Sequence, residues 1–134
     1  MLESEMLSKG LSFLENNKQY KIVKQEVPFL SRCIDVILIN EYDEIISIEF
    51  KVSKWRHAIE QAKNHKLGAD RAYICLPKRN ISVALREAVV NAGIGLLLFD
   101  PAREGEIYEA ISAPDCKENI PAFRSILLNT INKV

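Results

Sequence analysis

The chain has 134 residues, 48% hydrophobic and 27% charged, with 18 basic and 18 acidic side chains that cancel. That length suits one domain with its own core, and no apolar run approaches the ~20 residues of a membrane span. The acidic start Met1-Leu2-Glu3-Ser4-Glu5 is unlike a secretory signal, and Cys33, Cys75 and Cys116 form neither a C-x-x-C pair nor an even framework. The expectation is a cytoplasmic chain with reduced, buried thiols and no membrane partner.

In chain order, Leu7, Gly10, Leu11 and Leu14 recur at helical spacing and predict a helix over residues 3–16, ended by Asn16-Asn17-Lys18. A strand over 20–27 follows, closed by Pro28. Two alternating runs, 33–39 and 45–52, flank the turn-forming segment Asn40-Glu41-Tyr42-Asp43-Glu44 and predict a hairpin. Ser53 is the expected cap of a helix running to about residue 66, with Leu67-Gly68 as its stop. Next come a strand over 71–76 and a helix over 83–91, capped by Ser82 and ended by Ala92-Gly93. An almost wholly apolar strand over 94–99 reads as buried on both faces, and 106–111 as an edge strand. Pro121 opens a last helix with Phe123, Ile126, Leu127 and Ile131 inward. The pattern predicts one α/β domain over 1–134, with a core over about 1–112 and an appended helix over about 120–133. Its centre is a mixed sheet of about 4–6 strands flanked by helices on both faces, with right-handed crossovers.

In the run Ile45-Ile46-Ser47-Ile48-Glu49-Phe50-Lys51-Val52, the period of two puts Ser47, Glu49 and Lys51 on one face and Ile46, Ile48, Phe50 and Val52 on the other. Asp35 lies in the partner run. Pairing the two sets two carboxylates and a lysine side by side on a largely apolar sheet. Burying them costs several kcal/mol each unless they pair or bind an ion. A divalent metal with hydrolytic chemistry offsets that cost; a structural ion-pair cluster across the hairpin is the plainer alternative.

Asp35, Glu49-Phe50-Lys51, the helix Trp55-Arg56-His57-Ala58-Ile59-Glu60-Gln61-Ala62 and the strand after it resemble the PD-(D/E)xK nuclease superfamily. That superfamily includes restriction endonucleases and Holliday-junction resolvases. The resemblance spans roughly residues 1–100, with Ile34 where the motif has proline. It implies a restriction-endonuclease-like fold and Mg²⁺-dependent hydrolysis of DNA phosphodiester bonds, with Mn²⁺ as a substitute. Asp35, Glu49 and the Phe50 carbonyl would then bind the ion, and Lys51 would assist the attacking water. Gln61 would position substrate or water. Glu3, on the inward face of the first helix above Leu7 and Gly10, would reach the metal or its waters.

Charge is unevenly spread: residues 1–50 carry −4, residues 51–79 carry +6 and residues 80–134 carry −2. Lys54, Arg56, Lys63, Lys66, Lys78 and Arg79 are therefore candidate contacts to a DNA backbone, against the plainer reading of a solvated helix face. His57 and His65 read as surface or phosphate-contact residues, and Trp55 as a half-buried closure of its helix onto the sheet. No phosphate-loop or dinucleotide fingerprint is present. The last helix either caps its own core or meets a second copy, and a larger repair or restriction assembly is a further partner class. The competing function is a non-catalytic module that grips nucleic acid, or serves an assembly, on a nuclease-like fold.

Overall fold

A hairpin and its neighbours organise the sheet. The computed structural model describes residues 1–117 and 119–132. Strands β1 (Tyr20–Phe29), β2 (Arg32–Asn40) and β3 (Ile45–Phe50) pair antiparallel in sequence order. Helix α2 (Trp55–His65) carries the chain across to β4 (Arg71–Pro77), and α3 (Val83–Asn91) carries it to β5 (Gly95–Asp100); β3, β4 and β5 run parallel. Strand β6 (Glu106–Ile111) returns antiparallel, giving a six-stranded mixed sheet in the order β1-β2-β3-β4-β5-β6.

Both faces are covered, as the patterns of apolar side chains require. Helix α1 (Glu3–Glu15) packs Met6 and Leu14 on the face of Ile46, Ile48, Phe50, Cys75 and Phe99. On the opposite face Ala58 and Ala62 of α2, with Leu85 and Val89 of α3, cover Ile74, Leu76, Leu96 and Leu98. Helix α4 (Pro121–Ile131) sets Leu127 and Ile131 on Ile37, Ile39 and Ile45 of that face, and the Phe123 ring meets Phe29 edge-on at 6.1 Å. The last helix thus caps its own core. Ile126, predicted inward, is 50% exposed, and the predicted reach to residue 133 lies partly outside the described residues. Among the described residues no helix is long and apolar enough to cross a membrane.

Several predicted boundaries move for physical reasons. Strand β1 continues through Pro28 to Phe29 because it is an edge strand, where a missing N–H breaks no ladder on the open side. Strand β3 stops at Phe50 rather than at residue 52, although the Lys51 N–H still donates to the Cys75 carbonyl at 3.0 Å. Ser53 does not cap α2: Lys54 takes that place with φ 55° and no side-chain cap. Ser82 does cap α3, accepting from the Leu85 N–H at 3.1 Å. Cys75 and Cys116 are buried, as expected of thiols, but Cys33 is exposed.

Gly10 sets how closely α1 lies on the sheet: a Cβ there would meet Phe50 Cε2 at 2.9 Å and Ile107 Cδ1 at 3.0 Å. Alanine normally gains about 1 kcal/mol over glycine inside a helix. Here the overpacking of the fully buried Phe50 ring, about 1–3 kcal/mol, outweighs it. Gly10→Ala is expected to lower stability by about 1 kcal/mol in denaturant melts, and an increase would show that α1 shifts freely.

A half-buried carboxyl facing a buried one, beside a lysine

The β2–β3 ladder ends at the Val36–Ile48 pair, so its register continued by one step places Asp35 opposite Glu49. At that step the ladder is replaced: the Phe50 N–H donates to Asp35 Oδ2 at 2.8 Å. A strand residue's N–H and C=O point to the same side, so the Phe50 carbonyl faces this gap too. Glu49 projects from the α2-covered face and is only 4% exposed. Its carboxyl stands close enough to Asp35 for each to act on the other's charge. Burial first, and the Asp35 charge second, push Glu49 up to about 8. Burial also raises Asp35, against the Phe50 N–H, which lowers it. At neutral pH the pair therefore holds a proton between two acids.

Lys51 stands next to the pair with its side chain 24% exposed, and its charge lowers the pKa of both acids. Glu3 comes in from the start of α1: it accepts from the Val52 N–H at 3.4 Å and lies 3.9 Å from Lys51 Nζ. It reaches the lysine, and its charge also raises Asp35. Among the described residues no three His, Cys, Asp or Glu side chains form a set able to hold a metal ion, so the carboxylate ligands stop at two. Two carboxyls, a backbone carbonyl and waters nonetheless suit a hard divalent cation such as Mg²⁺, which keeps several waters. The buried Glu49 Oε2, which has no hydrogen-bond partner, fits that need.

Helix α2 forms the wall of the site. Gln61 Oε1 and His65 Nδ1 are buried without partners, and Ser47 Oγ, two residues before Glu49 on the same face, is likewise unpartnered. His65, expected at the surface, is 6% exposed and brings Nε2 to 3.8 Å from Glu49 Oε2. This is no ion pair at neutral pH, because burial holds His65 down at about 4 while Glu49 sits near 8. The signal for its burial was its place one turn after Gln61 on the stripe of Ala58 and Ala62, small residues that let the helix sit close to the sheet.

The basic residues divide. Lys54 and Arg56 are exposed at the start of α2, with the Arg56 guanidinium 4.3 Å above the half-buried Trp55 ring. Arg56 and Lys63 line a groove between α2 and α3, on the other flank of α2 from Gln61 and His65. Lys66 is half-buried and donates to the Ala92 carbonyl at 2.9 Å, which makes it a tie between helices rather than a phosphate contact. Lys78 and Arg79 are exposed after β4, Lys78 lying 3.5 Å from Asp100.

A six-stranded mixed sheet with helices on both faces makes this an α/β fold, with two acids facing each other at the end of adjoining strands. Solved structures share the architecture. A Silicibacter pomeroyi protein of unknown function matches with TM-score 0.69 at 21% identity, over 98% of this chain and 84% of that one. A repair endonuclease from Pyrococcus abyssi matches with TM-score 0.57 at 18% identity, over 75% of this chain and 48% of that one. The chain therefore spans about half of the endonuclease, and at these identities the likeness is one of fold. No protein-family model and no curated protein matches the sequence.

Proposed function

We propose that the chain is a divalent-metal-dependent phosphodiesterase of the PD-(D/E)xK type that acts on DNA. The observation that carries this reading is that Asp35 faces the buried Glu49 across β2 and β3, two acids that raise one another, with Lys51 beside them. Asp35, Glu49 and the Phe50 carbonyl would hold Mg²⁺ or Mn²⁺, with Glu3 placed to orient waters. When bound, such an ion activates water near neutral pH and offsets charge on the phosphate. The chain's own groups do the rest. Asp35 is locked in place by the Phe50 N–H, and Lys51 supplies a positive charge against the phosphoryl oxygens and can accept or orient a proton of the water. Gln61 offers its buried amide to substrate or water. Lys54, Arg56, Lys63, Lys78 and Arg79 are exposed cations available to the backbone.

A second reading, a nuclease-like module that binds without cutting, is favoured by one observation: among the described residues no three His, Cys, Asp or Glu side chains form a set able to hold a metal ion. Incubation with supercoiled plasmid and Mg²⁺ or Mn²⁺ separates the two. Because α4 is committed to its own sheet at Leu127 and Ile131, the expected product is a nicked circle rather than the linear form that two symmetry-related sites yield. The nicked band should vanish with EDTA. Plasmid that shifts in a gel yet stays supercoiled with either metal supports the binding module instead.

A further inference from the structure

The β1–β2 hairpin turns through two residues, Leu30 and Ser31, between the paired Phe29 and Arg32. Leu30 has φ 58°, in the left-handed region, whereas Ser31 is not among the residues of positive φ. A two-residue hairpin with positive φ at its first position calls for glycine there, because a Cβ is strained in that conformation. Here the place holds leucine, and the side chain is 56% exposed. Glycine would relieve the backbone and withdraw a largely exposed apolar group from water.

An exposed leucine alone means little, but a strained one at the rim of a cleft that reaches Gln61 and His65 motivates a functional reading. Leu30, Ser31, Arg32 and Cys33 form one wall of a 170 Å³ cleft, and Gln61, Asn64 and His65 of α2 form the other. His65 in turn approaches Glu49. Asp35 lies five positions along the hairpin from Leu30 (30 to 35), about 16 Å at 3.3 Å per strand residue. That is roughly half of the ~34 Å turn of a DNA duplex. The exposed Arg32 sets a cation beside the leucine for the phosphate at the same step. Apolar side chains presented to a duplex in this way enter base steps and unstack them.

We propose that Leu30 is a wedge. With the scissile phosphate at Asp35 and Glu49, it enters a base step about half a helical turn away and unstacks it, so the preferred substrate is duplex DNA that opens easily there. The inference rests on the DNA-phosphodiesterase reading above, and the test separates the two. The probes are a duplex with 2-aminopurine at successive positions around the nick site, and the same duplex carrying a short unpaired bubble. Both are offered to the wild type, Leu30→Gly and Leu30→Phe.

The wild type should raise 2-aminopurine fluorescence severalfold at one step. Leu30→Gly should lose most of that rise, melt at the same or a higher temperature, and nick the intact duplex at least tenfold more slowly. It should still nick the bubble at the wild-type rate, and Leu30→Phe should keep the fluorescence response. A Leu30→Gly protein that retains the full response, or that slows on intact and bubble DNA alike, overturns the wedge. Nicking by the wild type without any fluorescence rise removes the wedge alone. A fluorescence rise without nicking of either substrate removes the phosphodiesterase and leaves the wedge as a DNA-opening contact. Neither signal removes both.

Discussion

Glu49→Gln and Lys51→Ala should each lower the metal-dependent nicking rate by roughly 10³-fold, while DNA retention in a gel changes little. Removing one preorganised charge or one proton-transfer group from such a site typically costs 10²–10⁴ in rate. The two variants should differ in stability. In Glu49→Gln a group that must give up its proton inside the protein becomes a neutral amide of the same shape, so the metal-free fold is relieved of a cost. At pH 8 it should melt on the order of 5–10 °C above the wild type, from about 2 kcal/mol of relief. Lys51→Ala brings no such gain, because it deprives the two acids of the one cation that lowers their pKa. Full nicking activity in both variants would place the chemistry elsewhere.

The apo protein should also lose stability as pH rises from about 6.5 to 8. Glu49 titrates near 8 in the folded chain against 4.5 for the free side chain. Between those values the folded state holds more protons than the unfolded one, so stability falls with pH, by 1.36 kcal/mol per unit for one group. Asp35, also raised, adds to a slope of the same sign. His65 works against it: its folded value near 4 lies below 6.5, so the unfolded chain holds the extra proton and stability rises with pH over that interval. The two trends offset one another below about 6.5, and the window from there to 8 belongs to Glu49, at about 2 kcal/mol in all. Thermal melts in EDTA should show the decline in the wild type and its absence in Glu49→Gln. Added Mg²⁺ should recover the loss at pH 8, since a cation that binds the ionised pair favours the folded state. An EDTA melt that rises steadily from pH 6.5 to 8 would remove the buried acid pair from the account.

The hairpin and the meeting of Asp35 with Glu49 were legible because they depend on local patterns. A strict period of two on either side of a turn-forming segment leaves few ways to pair 33–39 with 45–52, and Asp35 then falls beside Glu49. Ser82 and the helix it opens were legible for the same reason, since the cap acts within one turn. Other features lie beyond any local window. Pro28 ends no strand because β1 sits at the sheet's edge, a fact about the order of six strands rather than about the residues around it. His65 is buried, and Lys66 bonds to Ala92, because of how α2 is laid on the sheet and against α3.

The sequence by itself determined which residues alternate, where the turns fall and that two acids and a lysine share one end of a hairpin, since period and turn chemistry act over a few residues. Only the tertiary structure decided that this end lies beneath α2, where desolvation lifts Glu49 toward neutrality. It also decided that Glu3 meets Lys51, and that Leu30 stands strained at the rim of a cleft lined by Gln61 and His65. The reason is that burial and its electrostatic cost are set by what covers a face, and the covering elements come from distant parts of the chain.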